Sequence, residues 1–193
     1  VTSERGKVTG VLGRNGTGKS CLFKCIMGGI KPQNIFVRFN DEQSTDYGHI
    51  GDRVKYLPQN LFMPPRMTLD EAFRLYDVEY GGLVSFDPKF HTFQKKQFRE
   101  LSGGEARVAE MFIIIKSPSD FCILDEPFSN IAPIHVEKMQ SLIREEKANK
   151  GIIVSDHLYE AIIQVSDNLF LLRDGYTFPV RSREYLIRHG YIR

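Results

Sequence analysis

Short apolar runs bounded by turn residues dominate the pattern along the chain. Residues 7–12, Lys-Val-Thr-Gly-Val-Leu, read as a buried strand; residues 13–18 carry three glycines and read as a turn; residues 19–27 read as a helix stopped by Gly28 and Gly29. Residues 35–39 alternate as a half-buried strand, residues 40–51 form a polar loop, and residues 53–57 make another strand that Pro58 ends. From Leu61 to about Pro118 strand signals vanish. Thr68 with Glu71, and Ser102 with Glu105, each mark a helix start by the capping-box spacing, so this stretch is expected to be a mostly helical lobe. Strands return at residues 121–124, 151–154 and 168–172, with helical patterns at 134–147 and 158–165. Such alternation predicts an α/β fold, with a parallel sheet covered on both faces. The expected division is one domain, with a core lobe of residues 1–60 and 119–193 and a helical lobe of residues 61–118.

Composition narrows this picture. The 193 residues are 41% hydrophobic and 26% charged, which suits a single globular unit with a sizeable core. The net charge of +2 argues against binding nucleic acid through bulk charge, and no apolar run is long enough to span a bilayer. No basic segment followed by an apolar stretch opens the chain, so the expected location is the cytoplasm; the first residue is Val1, so upstream residues are expected. The thiols of Cys21, Cys25 and Cys122 lie outside any metal or redox spacing and read as small core hydrophobes. His49, His91, His135 and His189 have no carboxylate or cysteine at ligand spacing and read as structural. Phe86, Phe90, Phe93 and Phe98 read as core of the helical lobe, and Arg181, Arg183, Arg188 and Arg193 as a solvated basic tail.

Chemistry concentrates in five places. Gly13-Arg14-Asn15-Gly16-Thr17-Gly18-Lys19-Ser20 has the spacing of a phosphate-binding loop between a strand and a helix. Backbone N–H groups can wrap phosphate oxygens there, Lys19 can bridge the outer phosphates, and the Ser20 hydroxyl can ligate Mg²⁺. Cys21, next in the chain, is counted with the nucleotide-binding residues. The strand ending at 124 runs into Asp125 and Glu126, where the first acid can hold Mg²⁺ and the second can act on an attacking water. Gln59 follows a strand and Pro58, within reach of metal and water. His157 follows Ser155 and Asp156, where it can donate to a terminal phosphate or orient the water. Ser102, Gly103, Gly104 and Glu105 open a helix with little side-chain bulk, a surface that phosphate can approach closely.

In this order the five segments resemble the nucleotide-binding subunit of the ATP-binding-cassette (ABC) ATPases across essentially the whole chain. The resemblance implies a P-loop NTPase core of the RecA-like kind with an inserted helical lobe, and Mg²⁺-dependent ATP hydrolysis. It also implies a homodimer that sandwiches two ATP molecules, in which Leu101-Ser102-Gly103-Gly104-Glu105 completes the partner's site. Residues 125–134 with Ser155-Asp156-His157 are also similar to the lipopolysaccharide-export and amino-acid-import branches. The implied role is to drive a separate membrane permease docked on the helical lobe near Phe62, Met63 and Met67. The implied location is then the inner face of the cell membrane, with no direct nucleic-acid partner. The alternative is a soluble, non-transport cassette ATPase acting on nucleic acid, ribosomes or a protein complex. A regulator without hydrolysis is disfavoured by the presence of both Lys19 and Glu126. Two departures stand out. Ala132 replaces the Asp usual in the loop that crosses to the partner, and the stretch before Gly13 is too short to contain the family's adenine-stacking aromatic.

Overall fold

The computed structural model of the chain describes residues 1–33, 37–39, 42–44 and 47–192. In chain order the elements are β1 (Val8–Leu12), α1 (Lys19–Ile26), β2 (Val37–Phe39), β3 (Glu42–Ser44), α2 (Tyr47–Arg53) and β4 (Val54–Leu57). Then come α3 (Leu69–Leu75), α4 (Tyr80–Phe86), two short 3₁₀ turns, α5 (Gly103–Lys116), β5 (Phe121–Asp125) and α6 (Pro133–Glu146). The chain closes with β6 (Gly151–Ser155), α7 (Tyr159–Val165), β7 (Asn168–Arg173), β8 (Tyr176–Val180) and α8 (Arg183–Arg188).

Six strands form one sheet in the order β4-β5-β6-β1-β7-β8. Every neighbouring pair is parallel except β7 with β8, which is antiparallel. The period-2 alternation sorts side chains to two faces. From β5, Cys122 and Leu124 pack with α5, α6 and α7, whereas Ile123 packs with Val11, Phe23 of α1 and Ile50 of α2. The first of these clusters continues without a break through Leu69, Phe73, Leu83, Phe90 and Phe112, so one apolar core joins the sheet to the helical segment. Phe90, Phe93 and Phe98 are buried in it, and Phe86 packs against it. Both capping boxes form: Thr68 and Ser102 each accept from the backbone N–H three residues on, and Glu71 and Glu105 reach back to the cap N–H.

The structure departs from the sequence reading in several places. Helix α2 occupies residues 47–53, where a polar loop was expected, because Ile50 is only 1% exposed against the α1 face of the sheet. Of the strand expected at 35–39, residues 37–39 pair with β3, and Ile35 and Phe36 lie outside the described residues. The basic tail is partly structured: Arg181 follows β8, Arg183 and Arg188 lie in α8, and Arg193 is outside the described residues. Cys21 is exposed rather than a core residue. His135 has a carboxylate partner after all, its Nε2 lying 2.9 Å from Asp87 Oδ2, and the His189 ring packs on Tyr185. The His49 side chain lies outside the described residues. No helix among the described residues is long and apolar enough to cross a membrane.

Candidate functional site

Parallel registers bring the C-terminal ends of β1, β4, β5 and β6 to one edge of the sheet, where Leu57 pairs with Leu124 and Asp125 with Ser155. Ligands of open α/β sheets bind outside this edge. The loop of residues 13–18 leaves it from β1, Gln59 from β4, Asp125 and Glu126 from β5, and Asp156 and His157 from β6.

The loop is built by close approach. A Cβ on Gly13 would lie 2.6 Å from Thr17 Oγ1 and 2.9 Å from the Leu172 carbonyl oxygen, so no larger residue fits. Gly18 caps α1 at φ 98, a left-handed conformation without a side-chain cap, which leaves the first N–H groups of α1 free for an anion. Asn15 and Gly16 form the turn's tip, and Thr17 closes it with Oγ1 on the Arg14 carbonyl at 2.9 Å. The Arg14 guanidinium donates to the Gly190 carbonyl at 2.6 Å, so its side chain is committed to the C-terminal segment. Lys19 is 6% exposed; its Nζ donates to the carbonyls of Gly13 at 2.7 Å and Arg14 at 3.2 Å. Burial lowers the Lys19 pKa, and the nearby carboxylates of Glu126, Asp125 and Asp156 work against that shift.

Asp125 is buried. Tyr56 donates its hydroxyl to Oδ2 at 3.1 Å, and the Ser20 hydroxyl bonds the same carboxylate. Burial raises the Asp125 pKa, opposed by those two hydrogen bonds, and burial likewise pushes the Tyr56 phenol up. The other oxygen, Oδ1, is buried without a hydrogen-bond partner. An orphaned carboxylate oxygen beside a serine hydroxyl and a phosphate cradle fits a hard divalent cation that takes oxygen ligands.

Glu126 adopts φ 49, and its N–H donates to the Ser155 carbonyl at 2.7 Å. Oε2 accepts from Gln59 Nε2 at 2.9 Å and from Ser129 Oγ at 3.3 Å, and His157 Nδ1 lies 3.7 Å away. His157 is half exposed, with Nδ1 3.2 Å from Asp156 Oδ1. Asp156 itself is fully buried and accepts from the N–H groups of Phe128 at 2.8 Å and Leu158 at 3.0 Å; burial raises its pKa.

Lys19, Ser20, Gln59, Asp125, Glu126 and His157 therefore converge. Ser102, Gly103, Gly104 and Glu105 stand at the head of α5. A Cβ on Gly104 would meet the Asn130 carbonyl at 3.1 Å, and Glu105 pairs with Lys89. That pair and the Ser102 bonds hold the Glu105 pKa down to about 2. Tyr56 and Arg107 escape the sequence reading, and Asp156 enters it only as the neighbour of His157, although each bonds the residues around the site. The one available signal for Arg107 was an opposite charge three residues on, Glu110, inside the otherwise apolar stretch of residues 106–115.

The sequence profile of the ABC transporter family matches residues 1–129. The lipopolysaccharide export system ATP-binding protein LptB of Acidithiobacillus ferridurans is 28% identical over 97% of this chain and 84% of its own length. The petrobactin import ATP-binding protein YclP of Bacillus subtilis is 26% identical over 91% of this chain and 76% of its own length. A putative ABC transporter ATP-binding protein of Archaeoglobus fulgidus is 29% identical over 90% of this chain, which spans only 64% of that relative. Among solved structures, an ATP-binding subunit of an ABC transporter superposes with a TM-score of 0.81 at 20% identity, covering 99% of this chain and 85% of that one. A dimeric ATP-binding cassette in a post-hydrolysis state, bound to ADP and Pi, gives 0.74 at 17% identity, covering 94% and 89%.

Proposed function

The chain belongs to the ABC transporter family, and on that premise we propose that it binds and hydrolyses ATP and, by ATP-dependent dimerisation, drives a separate membrane permease. The observation that carries the hydrolytic half is the buried, partnerless Asp125 Oδ1 at the strand end shared with Glu126.

Residues 13–21 cradle the phosphates through backbone N–H groups, with Lys19 leaving its loop carbonyls for the outer phosphates. Ser20, Asp125 and Gln59 are the residues that would hold Mg²⁺, which when bound neutralises charge building up on the phosphoryl group. Glu126 accepts the proton of the water as its oxygen bonds the terminal phosphorus and the bond from that phosphorus to the ADP oxygen breaks. His157, steadied by Asp156, donates to the terminal phosphate. Ser102, Gly103, Gly104 and Glu105 would complete the ATP site of a second copy.

The permease half is supported by its relatives, an ATP-binding protein of a lipopolysaccharide export system and one of petrobactin import. Leu61 and Leu75, at 50% and 67% exposure, present apolar surface just beyond Gln59, flanked by the partly buried Phe62 and Met67; Met63 is buried and drops out of the docking patch. A permease helix seated there places the protein peripherally at the cytoplasmic face of the membrane. The net charge of +2 favours no nucleic-acid partner.

The test has two arms. Purified chain should release phosphate from ATP only with Mg²⁺, and tagged chain from detergent-solubilised membranes should bring down an integral membrane protein. Recovery only with ribosomes or nucleic acid would replace the permease with a soluble target, and no phosphate release would remove the ATPase.

A further inference from the structure

Helix α5 carries, two residues beyond Glu105, an arginine that is 3% exposed. Arg107 Nη1 donates to the Pro58 carbonyl at 2.7 Å, and Nη2 donates to the carbonyls of Asp125 at 2.8 Å and Glu126 at 2.9 Å. One turn on, the fully buried Glu110 accepts the N–H groups of Phe62 and Met63, each at 2.8 Å. Glu110 lies 3.9 Å from Arg107, so the arginine directs its short bonds to backbone oxygens rather than to the carboxylate. Helix α5 thus holds the segment around Gln59 on both sides and the end of β5 from behind.

Glu126 sits at φ 49, a conformation costly for any residue but glycine, which persists only where its surroundings over-determine it. The peptides on both sides of its Cα are fixed, one by the Ser155 carbonyl on its N–H and the other by Arg107 on its own carbonyl. That backbone aims the carboxylate at Gln59, 2.9 Å away. We propose that Arg107 is a positioning residue for hydrolysis: its guanidinium locks the Glu126 peptide in the left-handed conformation and ties it to Pro58, so that Glu126 and Gln59 move with helix α5 as one body. The inference rests on the ATPase reading above. Three carbonyls on two strand ends call for a planar fork. A lysine, with its donors on a single nitrogen, cannot span them.

The experiment uses the full chain, with phosphate release and the affinity for a fluorescent ATP analogue measured side by side. Arg107→Lys should lower kcat roughly ten- to hundredfold, the scale of an ångström-sized misplacement of a catalytic group, while nucleotide affinity stays within about twofold. A folded Arg107→Lys protein with wild-type kcat overturns the proposal, as does a loss of affinity in proportion to kcat. Should that variant fail to fold, Arg107→Met with Glu110→Gln removes both charges together, strands neither, and keeps an oxygen to accept the Phe62 and Met63 N–H groups. The same split between kcat and affinity is expected of it, and wild-type kcat there is equally fatal. Absence of turnover in the wild type would instead sink the ATPase reading itself.

Discussion

Gln59 Nε2 donates to Glu126 Oε2 across 2.9 Å, tying the segment after β4 to the acid at the end of β5. The oxygen that would take a proton from water is thereby occupied by an amide, so a water reaching Glu126 competes with Gln59 for it. Glu126→Gln keeps the shape but cannot accept that proton. Turnover should fall about 10²- to 10⁴-fold, the usual worth of a general base, while Mg-ATP still binds. With hydrolysis arrested, the ATP-bound dimer should accumulate and be seen by sedimentation. Undiminished phosphate release would remove Glu126 from the role of base.

Lys19 spends its ammonium on two carbonyls of its own loop and is nearly excluded from water. Lys19→Ala removes the charge proposed to meet the phosphates, and turnover should drop about 10²- to 10³-fold. Folding should be little affected, since the variant also sheds the cost of burying a cation, which is what lowers the Lys19 pKa. Circular-dichroism melting of the variant beside its ATPase rate separates the two effects. A protein that melts far lower would show the lysine to be structural instead.

The strands that build the site were legible because each is an apolar run stopped by a turn residue, as at Leu12-Gly13 and Leu57-Pro58. Helix α2 was not. Gly48, Gly51 and Asp52 disfavour a helix locally, and it forms because Ile50 finds the pocket beside Phe23. β8 hid behind Pro179 and a largely exposed face, although Asp174-Gly175 is the turn pair that favours hairpins, and both residues adopt positive φ. The side chains proposed to bind phosphate or metal were legible through spacing. Arg107 and Tyr56, which bond the strand ends, were not, because their partners are backbone oxygens or a carboxylate far away in sequence, and the Asp156 bond to the Phe128 N–H was hidden in the same way.

Glu105 provides a pH test. Its carboxylate, bonded by Lys89 and by the Ser102 cap, is held at about 2, against an ordinary value near 4.5. A depressed carboxylate adds stability that is fully present above its unfolded pKa and is lost as pH falls through the folded one. Glu105→Gln should therefore be less stable than the wild type at pH 7, by at most about 1 kcal/mol because the lysine is exposed to solvent. The difference should shrink between pH 4.5 and about pH 2. Urea midpoints across that range measure it. A gap that widens on acidification would reverse the assigned sign and dissolve the Lys89–Glu105 pairing.

Ala132 stands at the N-cap of α6, with φ −66 and ψ 148 and no side-chain hydrogen bond, and Pro133 opens the helix behind it. The backbone already has the extended geometry of a capping residue and lacks only the acceptor. Ala132→Asp supplies one for the Ile134 N–H, since Pro133 has none and the His135 N–H already bonds the Ala132 carbonyl, and it places a negative charge at the positive end of a 14-residue helix. A gain of about 0.5 to 2 kcal/mol is expected at pH 7. The new carboxylate's pKa would be depressed by the cap, so the gain should fade as pH drops below its unfolded value and through its folded one. Ala132→Asn should give much of the same gain without that fading, which separates the hydrogen bond from the charge. Because the family resemblance implies an Asp here in a loop that crosses to the partner, the Asp variant has a second readout in the strength of the proposed Mg-ATP dimer, measured in the Glu126→Gln background. A more stable fold with an unchanged dimer would show position 132 to act through the helix cap alone; a tighter dimer from Asp but not Asn would place its carboxylate at the contact between protomers.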